Sequence, residues 1–580
     1  MTPPDLPGVL SVMIAVRRSL VVAVALTWAF AVPPQRARGD DATASRDRFK
    51  EDLAGNEEVE RIIKTFAGKG EVGDDSDPTP AEDAVKLFET ADDLQIELVA
   101  CEPAVEQPLD MHFDDRGRMW VVQYRQYPFP AGLKVIRYDQ YLRAVFDKVP
   151  QPPPHGTPGA DKITVFEDTD GDGKYDHSKD VITGLNIATS VCTGEGGIWV
   201  LNAPYLLFYP DQDRDDVPDS DPIVCLSGFG IEDTHSVCNS LRWGPDGWLY
   251  GANGSTTTGN VSSPVTKNVR FEGQCIWRYH PRTQVFEIYA EGGGNTFSTE
   301  IDAAGRVFSG SHHGNTRGMY YPQGSYGEKN WGKHGPLTNP YAFGYFRHME
   351  HEGDADRFPQ TFVLYEGGAL PARYNRTIIA ANALHNRVWA SALSEQGSTY
   401  RTRDYPPIVT TPDRWFRPVD VEVGPDGAVY IADWYDTRLS HVDPRDNWHK
   451  TSGRIYRLTR RESAEPNVGT PALPEAASSV SFDLTQLDDE ALIGLFSHPN
   501  KWMRQTAVRV LGERLYRNAS IAMIEKLFQM AQDESATDSL EALWTLHWCG
   551  AAYEDLLVKL LWHPSPDVRR WAARFLGDDR

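Results

Sequence analysis

Cysteine is scarce in this sequence: six residues in 580, with no Cys-x-x-Cys and no Cys-x-x-Cys-His arrangement. That spacing excludes covalent c-type haem, and six thiols in so long a chain do not make a disulfide scaffold. Any bridge is expected among Cys192, Cys225, Cys238 and Cys275, with Cys101 outside that group and Cys549 a buried thiol on a helical apolar pattern. Positive charge is also short, with 58 Lys and Arg against 82 Asp and Glu and a formal net charge of -24. A surface that repels phosphates excludes nucleic acid as a partner. Long apolar runs are missing too, except for Ser19 to Val32 behind Arg17-Arg18. With Ala37-Arg-Gly39 as the cleavage site, residues 1–39 read as a secretory signal peptide. The protein is therefore expected to be exported, periplasmic or extracellular, with membrane association no more than peripheral.

What the chain has in quantity is glycine, proline and aromatics: 48 Gly, 40 Pro and 11% Phe, Trp and Tyr. That mix favours short strands and tight turns. Residues 40–90 form an acidic linker with one amphipathic stretch, Glu57 to Phe66. From 91 a turn-strand pattern recurs in Asp114-Asp-Arg-Gly-Arg-Met-Trp120, Gly244-Pro-Asp-Gly-Trp-Leu-Tyr250, Asp302-Ala-Ala-Gly-Arg-Val-Phe308 and Gly424-Pro-Asp-Gly-Ala-Val-Tyr430, with a looser copy at Glu195-Gly-Gly-Ile-Trp199. Each has a polar turn closing on Gly, then any residue, an apolar one and an aromatic. The glycines at 117, 197, 247, 305 and 427 are 80, 50, 58 and 122 residues apart, and the last gap suits two repeats with Asn375 to Asn382 between them. Spacings near fifty residues predict propeller blades, about six over 91–462. The fold class expected is mainly β, a six-bladed β-propeller followed by a small α-helical HEAT-like solenoid.

The solenoid follows a linker at 463–480. Over 481–580, His498-Pro to Gly512 matches His563-Pro to Gly577 at a constant offset of 65, the signature of paired amphipathic helices. This tail is a candidate surface for a protein partner.

Two kinds of polar cluster punctuate the strands. Asp168, Asp170, Asp172 and Asp176 alternate around Gly173, a pattern that turns successive carboxylates toward a hard cation. Asp211, Asp213, Asp215 and Asp219 repeat the spacing without the glycine. Both loops predict Ca²⁺, in the role of pinning a loop between strands. The second kind adjoins the repeated turns: Asp233, His235 and Asn239; Asn295; His312, His313 and Arg317; Asp433 and Arg438. Histidine is the side chain best matched to taking a proton from an alcohol near neutral pH. A propeller would gather these clusters at one mouth of its channel, giving His235, Arg317 and Asp433 catalytic roles and Asn239, Asn295, His312, His313 and Arg438 contacts to a cofactor.

Pro108 to Pro128, Phe166 to Asp176, Asp233-Thr-His to Gly247, Ala432-Asp-Trp-Tyr-Asp436 and the His-Pro tail together resemble the membrane-bound dehydrogenase domain family of planctomycete-type bacteria. That family is similar to the soluble quinoprotein glucose and sorbosone dehydrogenases. The resemblance implies a six-bladed propeller, a sugar-like small molecule as substrate, Ca²⁺, pyrroloquinoline quinone as hydride acceptor, and His235 as the base. Two departures stand out. Gly294 occupies the place of the quinoproteins' cofactor-binding arginine, for which Arg317 or Arg438 could substitute, and no cytochrome domain is appended. The leading expectation is an exported dehydrogenase oxidising a sugar or sugar-derived alcohol. The competing one is a non-catalytic propeller binding glycans or a protein.

Overall fold

The computed structural model describes residues 73, 76–138, 143–311, 315–329, 337–339, 342–356, 361–438, 446–464, 482–534 and 537–578. All lie in one compact unit, Glu51–Arg580. The expected signal peptide, the stretch at Glu57 to Phe66, most of the expected linker at 463–480, and His312 and His313 lie outside the described residues.

The protein is mainly β and propeller-like. Its described strands build six sheets of three or more strands and one two-stranded hairpin. Each repeated turn joins the two strands at one end of a sheet: Pro108–Phe113 to Met119–Gln123, Cys238–Trp243 to Leu249–Asn253, Glu300–Ile301 to Val307–Ser309, and Pro418–Val423 to Val429–Asp433. The strand Leu94–Cys101, near the start of the body, pairs antiparallel with the last described strand, Arg454–Arg460, and so joins the two ends of the ring in one sheet.

The side chains explain why the motif recurs. The turn aspartate accepts from backbone N–H groups two and four residues on, as Asp114 does from Arg116 and Arg118, and Asp302 from Ala304 and Arg306. Its other oxygen takes a hydrogen bond from the aromatic that ends the motif: Trp120 Nε1 to Asp114 at 2.9 Å, Tyr250 Oη to Asp246 at 2.7 Å, and Tyr430 Oη to Asp426 at 3.2 Å. Phe308 has no donor, and there Arg306 bonds Asp302 instead at 2.7 Å. Thus the acid and the aromatic are coupled parts of one turn.

Aliphatic and aromatic residues from neighbouring sheets fill the gaps between them. All six cysteines are free, and Cys192, Cys225, Cys238 and Cys275 sit in one such cluster with Trp199, Phe229 and Trp277. The expected bridge gives way to four thiols packed as small apolar groups, and burial pushes Cys192 and Cys225 up to about 12.

After one helical turn at the start of the body, α1 (Ala81–Ala84), the helices come at the end: α2 (Asp489–Gly494), α3 (Lys501–Arg517), α4 (Ile521–Gln532), α5 (Ser539–Trp548), α6 (Glu554–Leu560) and α7 (Pro566–Gly577). The His-Pro repeat is matched bond for bond. His498 Nδ1 accepts from Asn500 N and His563 Nδ1 from Ser565 N, both at 3.1 Å. Arg504 and Arg569 each donate back to the carbonyls of their own His-Pro pair. These helices cover the turn-glycine face of the ring. A methyl group added at Gly117 would meet Phe482 at 3.1 Å, at Gly305 Trp571 at 2.4 Å, and at Gly247 Trp548 at 3.5 Å. Buried ion pairs reinforce the contact, among them Lys501 with Glu300 and Arg574 with Asp246.

Candidate functional site

The strand before each repeated turn runs from the opposite face toward the turn glycine, so its opening residues face the other mouth of the channel. There a cavity of about 260 Å³ is bounded by Asp110, Thr189, Asn239, Ser240, Pro418 and Asp420 from those strands. Loops between strands supply the rest of the wall, including His235, Phe297, Arg417 and Arg438. Tyr124, Tyr127, Trp434 and Trp448 form an aromatic flank, with Tyr127 edge-on to Trp434 and Trp448 at centroid distances of 6.1 and 5.3 Å. The Arg438 guanidinium lies 4.4 Å over the Trp448 ring.

His235 is held in place by its own loop. Its Nδ1 bonds Asp233 Oδ1, and the second Asp233 oxygen accepts from Thr256 Oγ1 at 2.8 Å. A carboxylate on Nδ1 fixes the ring and leaves Nε2 as the basic nitrogen. Phe297 stands edge-on to the imidazole at 6.1 Å. Asn239 gives both of its N–H donors to the carbonyls of Val237 and Thr296, leaving a buried Oδ1 with no partner among the described residues.

The predicted site residues separate into three groups. His235, Asn239 and Arg438 come together around this cavity. Arg317, Asp433 and Asn295 do not line it. Arg317 is buried against Trp389 and paired with Asp404 at 2.5 Å, which makes it part of another sheet's packing. Asp433 ends its strand and accepts from Arg417 N at 2.7 Å and Tyr435 N at 3.0 Å. Burial pushes its carboxyl up to about 8, and among the described residues its buried Oδ2 has no hydrogen-bond partner. The corresponding strand ends carry Gln123, Asn202, Asn253 and Asn382, so this is a loop-fixing position that recurs round the ring. His312 and His313 lie outside the described residues.

Sequence reasoning missed Tyr124, Tyr127, Arg417, Trp448, Asp110 and Asp420. For the two acids the signal was present. Asp110 stands seven residues before Gly117 and Asp420 seven before Gly427, where the other repeats have Ser190, Ser240 and Ser298.

The two aspartate loops are copies of one another. Carboxylate oxygens of Asp168, Asp170 and Asp172 lie within 4.8 Å of each other, as do those of Asp211, Asp213 and Asp215. Asp176 accepts from Thr169 N and Asp219 from Gln212 N, each at 2.8 Å, so the fourth acid closes its loop. Arg118 ties the loops together through Glu167 at 2.9 Å and Asp216 at 2.6 Å. Arg214 connects the second loop to Asp483, just before the helices, which places this assembly on the turn-glycine side, away from His235.

Among known proteins, the family described as "Domain of unknown function (DUF7133)" matches residues 80–462. No curated protein matches the chain. Solved structures similar to it include an oxidoreductase described as a glucose dehydrogenase from Thermus thermophilus, at 16% identity, 63% of this chain, 99% of that one and a TM-score of 0.37. A PQQ-bound aldose sugar dehydrogenase from Streptomyces coelicolor matches at 12% identity over 64% and 100%, also with a TM-score of 0.37. The apo aldose sugar dehydrogenase of Escherichia coli gives 14%, 63%, 100% and 0.32. No described helix is long and apolar enough to cross a membrane.

Proposed function

The chain belongs to the DUF7133 family, whose description assigns no activity, and from the cavity's own chemistry we propose that it is an exported six-bladed propeller dehydrogenase with HEAT-like terminal helices, oxidising a sugar or sugar-derived alcohol. The observation that carries this reading is the Asp233–His235 pair opening on an aromatic-walled cavity that also holds Arg438. In that arrangement His235 Nε2 takes the hydroxyl proton as the carbinol C–H leaves as hydride. Asp233 stabilises the imidazolium, and Thr256 keeps Asp233 aligned. Tyr127, Trp434 and Trp448 offer ring faces to the apolar side of a sugar and exclude water from it.

A quinone-type acceptor such as pyrroloquinoline quinone fits the donor set. The guanidinium groups of Arg417 and Arg438 would hold its anionic edge and the indole faces its plane, in place of the arginine replaced by Gly294. When bound, that group supplies hydride acceptance. Ca²⁺ at the two aspartate loops would have a structural role, pinning each loop between its strands.

The test is reconstitution of the purified protein with pyrroloquinoline quinone and Ca²⁺, followed by dye reduction on a panel of aldoses and polyols. Turnover that disappears in His235→Asn supports the reading. No cofactor retention and no turnover on any sugar would remove it.

A further inference from the structure

Below the cavity the channel narrows at Asp110, Asp420 and Ser240, which also line a second chamber of about 100 Å³ beneath. That chamber is floored by Trp502, Gln505, Thr506 and Arg509 of α3 and is large enough for several waters. The two aspartates are counterparts on neighbouring sheets, and each follows a register shift in its strand, at Pro108/Asp110 and Pro418/Asp420.

One oxygen of each acid is fixed by the protein. Asp110 Oδ2 accepts from Ser190 Oγ at 3.0 Å and Val191 N at 3.1 Å, and Asp420 Oδ2 from Met111 N at 2.9 Å. Among the described residues, no hydrogen bond reaches the other oxygen of either. The cations facing them are committed elsewhere. Arg242 forks onto Glu422 at 3.1 and 2.5 Å and stands 3.7 Å from Glu300, while Lys501 bonds Glu300. Arg509 pairs with Glu513 and Asp115. His112 bonds Thr193, and burial followed by the charges of Arg509 and Arg242 lowers it to about 3, so it stays neutral. Two half-buried carboxyls lining one constriction without a cation of their own cannot both ionise at low cost. Accordingly, burial raises Asp110 to about 7, and burial followed by the repulsion of Asp110 and Glu422 raises Asp420 well above the carboxylate range.

We propose that Asp110 and Asp420 are a proton-sharing pair that relays the proton taken up at His235 from the cavity to water in the lower chamber. The proposal rests on the dehydrogenase reading. The alcohol O–H proton passes to His235 Nε2 and the hydride, with its electron pair, to the quinone-type acceptor. The imidazolium then returns its proton through cavity water to the pair, and the pair releases one to the chamber. Only O–H and N–H bonds change at the relay. Both acids line the cavity, but they act through His235 and are positioning residues in this scheme.

Infrared difference spectra of the full-length protein between pH 5 and 9 test the pair without any turnover. The expected result is a protonated-carboxyl band that titrates near neutrality and is lost or split in Asp110→Asn and in Asp420→Asn. Ser190→Ala, which keeps the strand packed, removes a donor to the charged form and should move the midpoint to higher pH. His235→Asn should leave the band in place. With a substrate that is turned over, either Asn variant should lower kcat by about 10²-fold with KM little changed, and should alter the pH profile near neutrality. A wild-type protein without the band overturns the relay, as does a band unmoved by all three substitutions. So does a divalent cation retained by the wild type and released by Asp110→Asn, which would make the acids ligands. If the band behaves as expected but no sugar is oxidised, the dehydrogenase reading fails while the pair stands.

Discussion

At the scale of single residues, buried acids are where pH acts on this protein. Asp433 is raised to about 8 in the fold from an ordinary value of 3.8. A group shifted that way favours the folded state fully below its unfolded value and loses that contribution as pH rises through 8. Asp433→Asn keeps an oxygen for the N–H groups of Arg417 and Tyr435 and removes the titration. The variant's melting temperature should therefore fall less between pH 5 and 8 than that of the wild type, as calorimetry can measure. His235 and Asp233 predict a different split. His235→Asn should abolish turnover, whereas Asp233→Asn, which leaves the imidazole without its carboxylate, should lower kcat by roughly 10²- to 10⁴-fold with KM nearly constant. Steady-state kinetics on an accepted substrate distinguish the two.

At the scale of elements, much of the fold was legible because the repeat has a local chemical cause. The Asp-to-aromatic hydrogen bond lies within one turn, so its pattern survives in the linear sequence at 114/120, 246/250 and 426/430. The His-Pro pairs are equally local. The site was only partly legible, because its wall is assembled from loops far apart in the chain. His235 stood out, being a histidine beside a repeated turn. Trp448 and Arg417 carry no such mark, and Asp433 misled because an acid beside Trp434 resembles a catalytic residue when it is a strand-end anchor. Two elements invite tests. Asn500 caps α3 by accepting from Trp502 N and holds the carbonyls of Gly424 and Pro425. Asn500→Ala should cost roughly 1–2 kcal/mol in chemical denaturation. If the aspartate loops hold Ca²⁺, chelation should lower the melting temperature, and Asp170→Asn with Asp213→Asn should remove that sensitivity.

At the scale of the whole molecule, the turn glycines serve two purposes. They close the hairpins, and they leave room for the helices that cover that face of the ring. Gly305, at φ +73°, has Trp571 where a Cβ would go, whereas Gly397, at φ +61°, faces open space. Both alanine variants carry backbone strain of about 1–2 kcal/mol. Gly305→Ala adds a clash with α7 and should destabilise clearly more, with earlier proteolysis of the terminal helices. Equal losses for the two variants would mean that the helices are not anchored there.

The pairing of Leu94–Cys101 with Arg454–Arg460 also bears on how the protein is made. Glu97 meets Arg457, a residue 360 positions later. A ribosome must therefore deliver nearly the whole ring before this early strand finds its partner. Until then that strand is a long edge open to wrong pairings. Along it Gln95 and Glu97 alternate with Ile96 and Leu98, so one face of the waiting strand is polar. Swapping those polar residues for apolar ones should leave the finished ring stable while lowering the yield of soluble protein during synthesis.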